Sequence, residues 1–217
     1  MLWAAVLWDL DGTLIDTEPV WMAGERAIAS AHGAEWTDAD GLAQVGNALL
    51  VTGEYMRARI GSPLTAGEIV DQLVTHVASS LAERAPWRPG ALDLIKAFHA
   101  AGIPQALVTM SYAAIADAVA RHLPPDAPFD VVITGDVVTH GKPHPEPYLT
   151  AARKLGVDPA HCLAIEDSPT GAASANAAGC RVLAVPHFVD VPAAENRRSH
   201  PTLDGLTPES IAAMFVS

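Results

Sequence analysis

The chain is short of positive charge. Thirteen Lys and Arg stand against 25 Asp and Glu, a formal net charge of −12 with nine His counted neutral. Phosphate backbones and anionic lipid surfaces demand clustered Lys and Arg, so neither nucleic acid nor a membrane is expected as a partner. Cysteine is scarce as well: Cys162 and Cys180 are the two in 217 residues, too few for a disulfide framework. Each lies in an apolar stretch and reads as a small core residue in a reducing compartment. No apolar run approaches the roughly 18 residues of a membrane span. Residues 1–8 are all apolar, but no positive charge precedes them and Asp9 interrupts at once, so they are not read as a secretory signal. These shortages predict a soluble cytoplasmic protein. What is there is a globular composition, 50% hydrophobic and 18% charged, which excludes a disordered chain. The length suits one domain with an insertion, or two small ones.

The periodicities divide the chain. Residues 4–10 form a continuous apolar run stopped by Asp9, Asp11 and Gly12, the pattern of a buried strand ending at a polar turn. Helices follow over 18–31, 38–45, 50–60 and 66–84. The last has Ile69, Val70, Leu73, Val74, Val77 and Leu81 on one face, and Thr65 with Glu68 supplies a capping box. The run Pro86-Trp87-Arg88-Pro89-Gly90 breaks this section. Beyond it, helices (91–101, 113–123, 145–155, 171–178) alternate with apolar strands (103–109, 131–133, 163–165, 182–185). That alternation predicts an α/β fold with a Rossmann-like parallel sheet covered on both faces. Residues 1–15 and 87–217 are expected to form the α/β core, and 16–86 an inserted α-helical cap. Residues 188–201 read as an exposed irregular loop.

Polar groups recur where the strands end: Asp9 and Asp11, Thr109 and Ser111, Lys142 in a loop after the third strand, and Glu166 with Asp167. In parallel α/β sheets ligands bind outside the carboxyl ends of the strands, so these groups are expected to converge. Carboxylates are hard oxygen donors of the kind Mg²⁺ prefers, alongside substrate phosphate oxygens. The hydroxyls and the lysine suit the remaining oxygens of a phosphate. His140 and His144, flanking Lys142, are read as surface residues. Ser111 also suits the N-cap of the next helix.

Asp9-Leu10-Asp11-Gly12-Thr13-Leu14 after an apolar strand resembles the first motif of the haloacid dehalogenase-like superfamily. Thr109 resembles its second motif, Gly141-Lys142-Pro143 its third, and Ile165-Glu166-Asp167-Ser168-Pro169 its fourth. Order and spacing agree over residues 4–186, and Asp16-Thr17-Glu18-Pro19 is similar to the phosphatase and β-phosphoglucomutase-like branch. The resemblance implies a phosphoric monoester hydrolase with Asp9 as nucleophile and Asp11 as general acid and base. It implies phosphate binding by Thr109, Ser111 and Lys142. It further implies Mg²⁺ held by Asp9, the Asp11 backbone carbonyl and Asp167, with Glu166 a direct or water-mediated partner.

Departures narrow the branch. The dehalogenases lack the second aspartate of the first motif, which is present here as Asp11. The mutases carry a histidine in the cap entry helix where this chain has Trp21, and a cap arginine near the position of Asn47. Trp21 and Asn47 are therefore the expected specificity positions, and a hydrolase is preferred to a mutase. A metabolite sensor that keeps the fold without catalysis is a third reading, against which Asp9 and Asp11 stand intact. A helical cap excludes polymeric substrates, so the expected partner is a small phosphorylated metabolite.

Overall fold

The computed structural model describes residues 3–44, 47–125 and 127–216. The chain runs β1 (Ala5–Trp8), α1 (Glu18–Ala31), α2 (Asp38–Leu42), α3 (Leu49–Ile60), α4 (Ala66–Glu83), α5 (Ala91–Ala100), β2 (Gln105–Val108), α6 (Ala113–Ala120) and β3 (Val131–Ile133). It continues through α7 (Glu146–Leu155), β4 (Cys162–Glu166), α8 (Pro169–Ala177), β5 (Arg181–Ala184), β6 (Arg197–Ser199) and α9 (Pro208–Ala213). The six strands form one sheet in the order β3-β2-β1-β4-β5-β6, every pairing parallel.

β1 lies at the centre of that order, between β2 and β4, and its four residues are fully buried. Successive side chains of a strand point to opposite faces. Val6 and Trp8 therefore join one core with Leu107, Ile165 and Leu183, while Ala5 and Leu7 join another with Val108, Ala164 and Val182. Burial on both faces explains why the strands are continuous apolar runs. The Trp8 indole donates to Gln105 Oε1 at 2.8 Å, and Gln105 Nε2 donates to the Ile95 carbonyl at 3.0 Å, so the buried polar atoms are paired.

The helices α1–α4 are inserted between β1 and β2, and the two crossing segments touch. Ile15 and Trp87 form an antiparallel bridge, and the Asp16 amide donates to the Pro86 carbonyl at 2.9 Å. The insertion has its own core around Trp36, Met56, Ile69 and Leu73. α4 turns four further buried residues, Val70, Val74, Val77 and Leu81, to the main core. Its N-terminus carries the expected capping box, Thr65 with Glu68. No described helix is long and apolar enough to cross a membrane.

The helix predicted over 38–45 ends at Leu42, and its Val45 lies outside the described residues, as does Gly46. The segment read as an exposed loop over 188–201 contains the edge strand β6. Its pairing with β5 uses backbone groups, which leave no apolar pattern to read. Its side chains are tied sideways: Arg197 donates to Asn176 Oδ1 at 3.0 and 2.6 Å, and Arg198 to the Met214 carbonyl at 2.8 Å. α9, six residues behind the capping box Thr207/Ser210, is too short to show a helical period.

Candidate active site

Asp9 follows β1 directly, and its amide donates to the Ile165 carbonyl at 3.0 Å, which locks it to the end of β4. The sheet order reverses here, at the switch point where ligands of doubly wound sheets bind. Asp9 is buried, with 7% of the residue exposed. Burial, then the neighbouring charge of Glu166, against the pull of Lys142, brings its pKa up to about 7. Asp167 is likewise pushed well above the usual carboxylate range by burial and by the charges of Asp9 and Glu166. Carboxylate oxygens of Asp9, Glu166 and Asp167 come within 4.8 Å of one another. Three buried acids so close oppose one another's ionisation unless cations join them.

One cation is in place. Lys142 Nζ donates to Asp9 Oδ1 at 2.7 Å, Glu166 Oε1 at 2.6 Å and the Val108 carbonyl at 2.9 Å, so its three protons are all placed. Burial works against its charge, but Asp9 and Glu166 outweigh burial and its pKa is raised. Its loop is held to β2 through Met110, whose sulfur accepts from the Lys142 amide at 3.2 Å. A Cβ on Gly141 would stand 2.9 Å from that sulfur. Met110 therefore packs on the lysine loop and lines the pocket as well.

Glu166 is fully buried. Its Oε1 also accepts from the Tyr148 hydroxyl at 2.6 Å, and its Oε2 from Ser168 Oγ at 3.3 Å. A Cβ on Gly171 would overlap this carboxylate at 1.9 Å, and one on Gly12, at φ +83°, would overlap Asp167 at 2.1 Å. Both glycines are thus places where a backbone passes against a carboxylate. Thr13 donates to Asp167 Oδ1 at 3.2 Å.

The Asp11 side chain points away from the acid cluster. Its Oδ2 accepts from Ser111 Oγ at 2.7 Å and Thr109 Oγ1 at 3.1 Å. Its Oδ1 accepts from Thr17 Oγ1 at 2.7 Å and Trp21 Nε1 at 3.2 Å. Two donors come from the end of β2, and the other two from the start of the insertion. Ser111 is not the N-cap of α6; Tyr112 is.

A pocket lies over these groups. Trp21 and Asn47 line it with Asp9, Asp11 and Lys142, so both expected specificity positions face the site. Thr109 is fully buried beneath it. His140 and His144 are exposed and form a group of metal-ligand type with Glu146, apart from the residues that line the pocket. Sequence reasoning missed Thr13, Thr17 and Tyr148 as partners. Thr13 and Thr17 lie inside the Asp9–Leu14 and Asp16–Pro19 motifs, a usable signal; Tyr148, on an amphipathic helix, gives none.

A doubly wound parallel sheet with acids, a lysine and hydroxyls gathered at its switch point defines a hydrolase-type α/β site. The family model for haloacid dehalogenase-like hydrolases matches residues 3–179, and the chain belongs to that family. It is similar to hexitol phosphatase A of Escherichia coli, 34% identical over 86% of this chain and 84% of that protein. Fructose-1-phosphate phosphatase YqaB of E. coli is 30% identical over 82% of this chain and 93% of that protein. Among solved structures, CbbY from Rhodobacter sphaeroides, in complex with xylulose-(1,5)bisphosphate, superposes with a TM-score of 0.80 at 29% identity over 94% of this chain and 96% of that one.

Proposed function

We propose that the protein is a Mg²⁺-dependent phosphatase that hydrolyses small phosphomonoesters, sugar phosphates among them, through an aspartyl-phosphate on Asp9. The observation that carries this reading is the pairing of Asp9, fixed between Lys142 and the β4 acids, with Asp11 two residues on and held by the Thr109 and Ser111 hydroxyls. Similarity to two sugar-type phosphatases supports the substrate class.

Asp9 is the nucleophile. Its oxygen forms the bond to phosphorus as the ester P–O bond breaks, which divides one hard displacement into two easier ones. Lys142 offsets the repulsion between carboxylate and phosphate and holds equatorial charge. The Thr109 and Ser111 hydroxyls, which now donate to Asp11, turn to phosphate oxygens when substrate enters. Asp11 is released toward the leaving oxygen while keeping Thr17 and Trp21. Freed of the two hydroxyls, its Oδ2 takes a proton from the substrate's phosphate monoanion, gives it to the leaving oxygen and then takes one from the attacking water, so that phosphate leaves and Asp9 is restored.

The donor set fits Mg²⁺: hard carboxylate oxygens of Asp9 and Asp167, buried and short of cationic partners. Asp9 and Asp167 would hold the ion, which would supply positive charge to neutralise the phosphate. Glu166 has Oε1 engaged by Lys142 and Tyr148, so we assign it mainly to orienting the lysine. Residues 16–86 serve as the cap, since the insertion brings Trp21 and Asn47 over the core residues of the pocket. The cap admits a small phosphorylated metabolite and keeps polymers out. The cytoplasm is the proposed location, in keeping with two free cysteines. The hydrolase reading is preferred to a mutase because neither Trp21 nor Asn47 is basic. Trp21 is engaged by Asp11, and the Asn47 amide donates to the Ala43 carbonyl at 3.1 Å.

Phosphate release from a panel of phosphorylated metabolites and an aryl phosphate, with and without EDTA, tests this reading. Release that needs Mg²⁺ and is lost in Asp9→Asn is expected; release that persists in Asp9→Asn contradicts it.

A further inference from the structure

Apart from Trp21, which holds Asp11, the far wall of the pocket has no part in the chemistry above. Glu18, Trp21 and Glu25 stand at i, i+3 and i+7 of α1 and share one face, which lines the pocket with Gln44, Asn47 and Thr52. Lys142 is the one cation among the described lining residues, and its protons are already placed. Three of the four arginines of the insertion pair with acids outside the pocket lining, and the fourth, Arg84, is exposed at the end of α4. Arg59 pairs with Asp40 at 3.0 and 3.2 Å, Arg57 with Glu54 at 2.9 Å, and Arg26 with Asp38. The wall thus offers carboxyl, amide and hydroxyl groups and no positive charge.

Two of these residues are largely buried yet keep a side-chain oxygen free for a ligand. Thr52 is 5% exposed, and its hydroxyl has no partner among the described residues. Glu25 is 4% exposed. Its Oε2 accepts from the Trp36 indole at 3.0 Å, while Oε1 has no partner among the described residues. Both residues line the pocket, and neither free oxygen is among the sealed-off unpartnered atoms of the described residues, so both are open to what fills the pocket.

We infer that this wall is the subsite for the hydroxyl groups of an uncharged polyol or sugar, so that the substrate is a phosphate monoester whose remainder is neutral. The inference rests on the phosphatase reading and specifies it. A substrate hydroxyl can donate to Glu25 and exchange a hydrogen bond with Thr52 or the amide of Gln44. A second phosphate or a carboxylate would meet Glu18 and Glu25 with no cation to neutralise it, and such repulsion is how a site rejects a near relative of its substrate. Burial first of all, aided by neighbouring acids, brings both glutamates up to about 7. Acid and carboxylate are then both populated near neutral pH, and either form pairs with a hydroxyl.

The test is steady-state phosphate release by the full chain on esters of similar size: an alditol or hexose monophosphate, a sugar bisphosphate and phosphoglycolate. The neutral monophosphate is expected to have a kcat/KM at least about ten-fold above the other two. Glu25→Gln keeps an acceptor for Trp36 and removes the charge, and it is expected to narrow the gap to the bisphosphate several-fold. Thr52→Val is expected to raise KM for the neutral ester more than it changes kcat. Equal or better turnover of the bisphosphate or phosphoglycolate overturns the inference and leaves the phosphatase reading in place. No release from any of these, nor from an aryl phosphate, sinks that reading and the inference with it.

Discussion

The indole Nε1 of Trp21 donates to Asp11 Oδ1 at 3.2 Å, so the inserted helices and the doubly wound core meet on one carboxylate. Trp21→Phe keeps the ring and deletes the donor. A single hydrogen bond of this kind is worth about 0.5–1.5 kcal/mol, so kcat on a sugar phosphate is expected to fall about two- to ten-fold, with a smaller change in KM. Steady-state kinetics reads this split. A change in KM alone would mean that Trp21 serves substrate binding and not the orientation of Asp11.

Lys142 neutralises a cluster of three buried acids. Lys142→Met removes the compensating charge and leaves Asp9, Glu166 and Asp167 facing one another. Breaking a buried pair from one side costs about 3–5 kcal/mol, and urea unfolding at pH 7 is expected to register a loss of that order. The loss shrinks at lower pH, where Asp9 and Asp167, both raised by burial, protonate and cease to repel. Phosphate release is expected to disappear in the same variant.

Glu25 gives a pH dependence with a definite sign. Its folded-state pKa is raised to about 7 from an ordinary 4.5, chiefly by burial. Between those values the unfolded chain has already given up the proton that the folded chain retains. Ionisation therefore destabilises the fold progressively as pH rises from about 4.5 to about 7. Glu25→Gln is expected to match the wild type at pH 4 and to be more stable at pH 8, by on the order of 1–3 kcal/mol. Thermal melts at the two pH values check it.

Burial, first of all, pushes the Cys162 and Cys180 thiols up to about 11 and 12, so thiolate is scarce at pH 8. A disulfide reagent is expected to label neither thiol in the native protein and both after unfolding in guanidinium. Rapid native labelling would contradict their place in the core.

The sequence makes the inner strands legible for a physical reason. β1, β2, β4 and β5 are covered on both faces, so burial writes itself as unbroken apolar runs. β6 is Arg-Arg-Ser at the edge, and nothing in its side chains encodes pairing. At the site, Asp9, Asp11 and Asp167 are legible because they stand where buried apolar strands stop, and Lys142 because it sits in the Gly-Lys-Pro loop that follows the third strand. The partners Tyr148 and Thr13 are less so, since Tyr148 reaches Glu166 across 18 residues and Thr13 reaches Asp167 across 154, distances that only the fold closes. The same holds for Asp11, whose hold on Ser111 spans 100 residues.

The central claim is that Asp9 forms the bond to phosphorus. Mixing the enzyme with a sugar phosphate and Mg²⁺, quenching in acid within one turnover and mapping the digest by mass spectrometry tests it most directly. Phosphate on the peptide bearing Asp9, and its disappearance in Asp9→Asn, is the predicted result. Phosphate on a different side chain, or turnover at full rate by Asp9→Asn, would contradict it.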